Sequence, residues 1–266
     1  MNASSVWRVP DLSLRWWPVF LRNLLVWRKL AIPSLVGNIA EPLMWLVAFG
    51  YGMGALVGTV RIGDQQVPYI LFLASGSICM SAMNAASFEA LYSAFSRMHV
   101  QKTWDAILNT PMNLDDIVIA EVLWAASKSL LSGTAILVII LAMGLSHSLL
   151  LVWVIPLTIL IGLTFGALGL CMTALSPSYD FFLYYFTLVV TPMILLCGVF
   201  FPASQLPLLL QHVAAVLPLS HAIDLVRPLV NGEIPERVLM HVLVLAAYAA
   251  VGAYLALVLA RRRLLT

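Results

Sequence analysis

Residues 149–175 read "LLLVWVIPLTILIGLTFGALGLCMTAL", a stretch without a single Asp, Glu, Lys or Arg. An α-helix rises about 1.5 Å per residue, so roughly 20 apolar residues cross the ~30 Å hydrocarbon core of a bilayer. This run is long enough. It is not an isolated core helix, because 62% of the whole chain is hydrophobic and only 10% is charged. Soluble domains average about half and about a quarter. A fold in water has nowhere to hide that much apolar surface. Hydrocarbon offers backbone N–H and C=O groups no partners, so runs of this length must cross as helices. The sequence therefore predicts an all-α polytopic membrane protein, with one transmembrane domain over 1–266.

Comparable runs lie at 34–59, 67–92, 117–144, 181–200 and 237–260, which with 149–175 predicts six spans. A further apolar piece, "LPLLLQHVAAVLP" at 206–218, is too short to cross and reads as re-entrant or interfacial. Six spans put both termini on one side. Arg8, Arg15, Arg22, Arg28 and Lys29 precede the first span, Arg97 and Lys102 follow the second, and Arg261, Arg262 and Arg263 follow the sixth. The other side holds Arg61, Arg227 and Arg237, while Lys128 lies inside a span. The positive-inside rule then makes both termini and the 93–116 loop cytoplasmic. The net charge of +2 gives no reason to expect nucleic acid.

The N-terminus, "MNASSVWRVPDLSLRWW", has Arg, Asp and Pro where a signal peptide needs an apolar region, so insertion through an uncleaved first span is expected. Residues 11–30 mix Arg15, Arg22 and Lys29 with Trp16, Trp17, Phe20, Leu24 and Trp27. That pattern predicts a helix lying in the cytoplasmic interface, or else a solvated basic lead-in. Pro18 favours a helix start nearby.

Catalytic motifs are missing. The three lysines follow "WR", "VQ" and "AS", so no phosphate loop exists, and neither HExxH nor GxSxG occurs. Cys79, Cys171 and Cys197 sit in apolar runs as small hydrophobes. His212 and His221 lack the carboxylate arrangement of a metal site. No covalent chemistry, cofactor or metal is expected on this chain.

The loop "FSRMHVQKTWDAILNTPMNLDDIVIAE" (95–121) predicts a short amphipathic helix at 101–109, with Met98, Trp104 and Leu108 on one face and Lys102 and Asp105 beside it. An exposed apolar stripe there docks either on the bilayer or in a groove of another protein. Asn113, Asp115 and Asp116 suit the start of the next helix. Charges inside spans are costly and each needs a reason. Glu41 and Glu89 reach for the interface or serve gating, and Lys128 needs an acid that the sequence does not name. Gly162 and Gly166 form a GxxxG suited to close packing, within the chain rather than between chains.

Residues 198–207, "GVFFPASQLP", interrupt an apolar stretch with one Gly and two prolines. Together with "LVWRKL", "GNIAEPL", "LSPSYDFFLYYFTLVVTPM" and the block running to "LPLSHAIDLVRPLV", this pattern resembles the permease subunits of type-2 ABC exporters over nearly the whole chain. The resemblance implies a bacterial inner-membrane homodimer working with two copies of an ABC ATPase, which binds the ATP and Mg. It makes the 101–109 helix a coupling helix, with Arg97, Met98, Gln101, Lys102, Trp104, Asp105 and Leu108 meeting the ATPase. It makes 201–236 a re-entrant cap at the outer surface, shaped by Gly198, Phe200, Phe201, Pro202, Pro207, Pro218 and His221. Glu41, Trp45, Phe182 and Tyr185 become candidates for gating or for lining the path. The implied cargo is amphiphilic, such as a lipo-oligosaccharide. The alternatives are a drug, lipid or polysaccharide on the same architecture, or an ATP-independent carrier.

Overall fold

A computed structural model describes residues 7–11, 13–62 and 65–264, without the side chains at 35, 38, 41 and 65. The chain opens with α1 (Trp16–Arg28) and α2 (Ala31–Val57). A two-stranded antiparallel hairpin follows, β1 (Thr59–Ile62) with β2 (Gln65–Pro68), and it pairs Val60 with Val67. The hairpin lies between the first two runs expected to span the membrane, 34–59 and 67–92. Next come α3 (Tyr69–Phe88), α4 (Thr103–Leu108), α5 (Leu114–Ala142), α6 (Val154–Leu175), α7 (Phe181–Tyr185) and α8 (Thr191–Leu196). The last three are α9 (Leu208–Val216), α10 (Pro218–Asn231) and α11 (Val238–Leu264).

Among the described residues four helices are long and apolar enough to cross a bilayer: 69–100, 114–142, 149–175 and 238–264. The two remaining runs that the sequence placed as spans are present as helices but shorter in their apolar part. Pro42 sits inside α2, and the apolar segment is Pro42–Val57. The fifth run is α7 and α8 joined by a π turn over Phe186–Val190, and it stops at Leu196. Glycine at 198, with φ +84, is the reason for the stop, since that left-handed backbone cannot continue a right-handed helix. Two π turns also lengthen α3, over Glu89–Ser93 and Ser96–Val100, carrying it to the loop that holds α4.

The helix α3 is the centre of the bundle. Phe72, Leu73, Ile78, Met83 and Leu91 are fully buried, packed by α2, α5, α6 and α10. Small residues let α5 and α6 approach closely. A Cβ added at Gly162 would lie 2.6 Å from the Ala126 Cα, and one at Gly166 would lie 2.8 Å from the Ala125 Cβ. The GxxxG pair therefore serves packing within the chain, as expected.

Contacts sort the loops into two ends. At one end, Tyr69 donates to the Phe200 carbonyl, Ser146 to the Val230 carbonyl and Arg227 to the Gly198 carbonyl. That end collects the β hairpin, the 143–153 turn and the segment after α8. At the other end, Arg261 pairs with Asp115, Arg263 donates to the Thr173 and Ala174 carbonyls, and Ser13 bonds Asp116. The sequence gave Asp115 and Asp116 a helix-start role; they are fully buried and in addition hold the N-terminal segment and α11. Helices α9 and α10 meet at 86° around Leu217, a bent pair at the first end.

Overpacking a close helix contact costs ~1–3 kcal/mol. Gly162→Leu is expected to lower the thermal unfolding midpoint by several degrees in detergent. Gly52→Leu, where an added Cβ meets nothing within 4 Å, should leave it unchanged. Equal midpoints would remove close α5–α6 approach as a determinant of the fold.

Candidate functional site

At the C-terminal end of the extended α3 the chain buries a guanidinium. Arg97 donates through Nε to Glu121 Oε1 at 2.9 Å and through one terminal nitrogen to Glu121 Oε2 at 2.5 Å. The same nitrogen reaches Glu89 Oε1 at 2.9 Å. The fork joins α3 to α5 with charge-assisted bonds, the strong kind in a medium of low dielectric. Two indoles complete it. Trp104 of α4 donates to Glu121 at 3.3 Å, and Trp124 donates to Glu89 at 2.9 Å. Removing one partner would leave the others charged and unpaired in a dry site, which costs several times the net worth of the pair.

This cluster corrects the expected docking stripe. Trp104 and Met98 are each 2% exposed and face the chain's own bundle, because the Trp104 indole N–H has an acceptor in Glu121. The left-handed Lys102, φ 51, turns the backbone so that α4 begins only at Thr103. Leu108 is half-buried, while Gln101, Lys102, Asp105 and Ala106 are exposed. The outer face of this loop is polar, and Met98 and Trp104 fasten the loop from beneath.

Lys128 lies one to two turns deeper on α5, 6% exposed. Its ammonium sits 4.3 Å from the Trp27 ring centroid and 5.1 Å from that of Trp124, where indole faces attract a cation. The acid that the sequence required is not bonded to it. Two adjoining cavities meet here. One, of about 240 Å³, reaches inward past Ser34, Trp45, Ser81, Asn84 and Ser132. The other, of about 150 Å³, reaches the cytoplasmic end past Arg22, Asn23, Arg97 and Gln101. Glu89, Ser93 and Lys128 line both. Arg22, on the interfacial α1, has its pKa lowered by partial burial and then by Arg97, and it keeps its charge at neutral pH.

The outer end has its own polar group. Arg227 of α10 lies 3.8 Å over the Phe72 ring and bonds Ser75 at 3.1 Å and the Gly198 carbonyl at 2.6 Å. Sequence reasoning counted Arg227 only as an outer charge; its place in a predicted cap beside Gly198 was the available signal. His221 and His241 join α10 to α11 through their Nδ1 atoms at 2.8 Å. Among the described residues no three His, Cys, Asp or Glu side chains converge as metal ligands.

The other expected site residues separate. Pro202, Phe201 and Phe200 form the half-buried turn after α8, Pro207 precedes α9, and Pro218 starts α10. Phe200 packs near Trp45 and Phe49, ring centroids 6.1 and 5.8 Å away, so the turn leans on α2. Trp45 lines the inner cavity. Phe182 and Tyr185 lie inside the bundle. They are buried, with Phe182 held among Tyr92, Phe95 and Tyr179; the exposed members of that run are Leu183 and Tyr184. The Glu41 side chain lies outside the described residues.

Comparison with known proteins agrees with this architecture. Residues 16–231 match the family described as ABC-2 type transporter. Nodulation protein J of Rhizobium leguminosarum bv. trifolii is 46% identical over 265 residues, 100% of each chain. Nodulation protein J of Bradyrhizobium diazoefficiens is 44% identical, covering 97% of each. A protein of Porphyra purpurea called putative transport permease ycf38 is 29% identical over 76% of this chain and 68% of its own. A match to most of the chain, together with full-length relatives of this identity, shows that the chain belongs to the ABC-2 type transporter family.

Proposed function

We propose that this permease subunit works as a homodimer with two ABC ATPase chains and exports an amphiphilic glycolipid, such as a lipo-oligosaccharide, across a bacterial inner membrane. The observation that carries the reading is the Arg97 cluster. One guanidinium is at once the fastening of the 101–109 loop, through Glu121 and Trp104, and part of a cavity wall, through Glu89. A partner that pushes α4 therefore moves the wall of the cavity. Rigid-body rocking between packed elements transmits such displacements. The chain shows no phosphate-binding loop, so the energy comes from the partner. The full-length likeness to nodulation protein J supports an amphiphilic saccharide cargo.

In this reading α4 faces the cytoplasm and the bent α9–α10 pair caps the outer surface. Supporting it, Arg8, Arg22, Arg97, Lys102, Arg261 and Arg263 gather at the α4 end, while Arg61 and Arg227 lie at the other. The charge asymmetry is what membrane insertion reads.

The direct test is transport. Inverted vesicles holding this chain and its ATPase should accumulate a fluorescent alkyl oligosaccharide only with ATP and Mg, and uptake without ATP would overturn the reading. For orientation, Cys79, Cys171 and Cys197 are first replaced. Ser204→Cys should then label from outside intact cells with an impermeant maleimide, and Asn109→Cys only after permeabilisation; the reverse pattern would invert the topology. For the dock, Ala106→Arg puts bulk on the exposed face of α4. It is expected to cut co-purified ATPase about tenfold, roughly 1.4 kcal/mol, at unchanged thermal stability. Full recovery of the ATPase would place the dock elsewhere.

A further inference from the structure

We propose that the inner cavity between α2, α3 and α5 is a headgroup site that takes one neutral sugar ring, with the alkyl part of the cargo left in the lipid. The proposal rests on the permease reading and assigns that reading a binding site. Two unsatisfied buried atoms and one cation point to a ligand. Asn84 Oδ1, in the wall of this cavity, is buried without a donor. Asn23 Nδ2, in the adjoining cavity on a residue 3% exposed, is buried without an acceptor. The Lys128 ammonium lines both cavities, with the Trp27 and Trp124 indole faces beside it. Buried polar groups are nearly always paired, so two orphans around adjoining cavities need an explanation.

Charge selects the ligand class. Among the described side chains the inner cavity is lined by one carboxylate, Glu89, and one ammonium, Lys128, whose charges cancel. An anion entering the inner cavity meets Glu89, and a cation meets Lys128. A hydroxylated neutral ring meets neither penalty. Its hydroxyls can donate to Asn84 Oδ1 and accept from Lys128, beside the Ser81–Ser132 hydroxyl pair at 2.5 Å. The apolar faces of a sugar ring have Trp45, Phe88 and Tyr92 to pack on. Trp45 and Phe88 are also 39% and 47% exposed, which puts the mouth toward the side of the bundle. The volume, about 240 Å³, falls below the ~300–1,000 Å³ of sites for drug-sized ligands. It suits one ring-sized group and excludes a whole oligosaccharide.

The test uses the full chain with its ATPase in lipid nanodiscs. The probe is an alkyl glucoside carrying bromine on its chain next to the sugar, read by quenching of tryptophan fluorescence; Trp45, Trp27 and Trp124 all line the two cavities. Saturable quenching is expected, competed by unlabelled alkyl glucoside and not by an alkyl phosphate of equal chain length. Asn84→Leu and Lys128→Met should each weaken it about tenfold, the loss of one hydrogen bond to the ligand. Unsaturable quenching, or stronger competition by the phosphate, overturns the neutral-sugar site on the unmutated protein, whatever the variants do. ATPase recovery is measured on the same samples. Absent sugar binding with the ATPase retained removes this site and leaves the permease reading. Sugar binding with no ATPase engaged overturns the permease reading on which the assignment rests.

Discussion

Hydrocarbon contains no hydrogen-bond partners, and that absence governs almost every polar choice in this chain. Hydroxyls in the spans turn to carbonyls, on their own helix or across to a neighbour. Ser129 of α5 donates to the Thr158 carbonyl, Thr164 of α6 to the Leu245 carbonyl, and Thr173 to the Ala90 carbonyl. Each bond is modest, about 0.6–2 kcal/mol in a membrane, yet each fixes the rotation of one helix against another. Small residues finish the work by letting backbones close. The result is a tight α3–α5–α6–α11 bundle that carries, besides the buried Asp115–Arg261 pair, two arginine-centred groups, the Arg97 cluster and the Arg227 turn.

Those two places are opposite in character. Around Arg97 both signs of charge meet, and the bonds run from the α4 loop into the bundle. Around Arg227 a single cation holds the carbonyl of Gly198, the residue at which the fifth helical run ends. The first ties a loop that a partner can reach to a cavity; the second keeps a helix from running on. Both depend on arginine because one planar group can satisfy several acceptors at fixed angles.

Much of the fold was legible because apolar run length is a one-dimensional property. Leu149–Leu175 and Val238–Leu264 fall within a few residues of the expected spans. The short helix α9 was also legible, as a run at 206–218 too brief to cross, whereas a second short helix after it was expected only from the family resemblance. The docking stripe was misread for a definite reason. Spacing puts Met98, Trp104 and Leu108 on one face of a helix, but it cannot say whether that face looks outward or inward. Glu121, two turns into the next span, decides the matter by accepting a hydrogen bond from the Trp104 indole N–H. Lys128 shows the same limit from the other side. An acid on a neighbouring helix was the expected partner, and the fold sets the faces of Trp27 and Trp124 beside it. Phe182 and Tyr185 were candidates for a path because aromatic runs suit lipid or ligand alike, and only packing against Tyr92 and Phe95 separates the cases.

The segment ahead of α1 has a consequence for biosynthesis. The Trp7 carbonyl accepts from Tyr254, 247 residues later, and the Arg8 carbonyl accepts from Arg261, 253 residues later. Asp11 and Ser13 bond Asp115 and Asp116 on the way. These residues thus find their partners only once α11 has emerged from the ribosome. Synthesis at about 5–20 residues per second leaves that strap open for many seconds while the spans enter one by one. Its closure requires the insertion of α11, so a chain stopped short of that helix keeps its front unfastened.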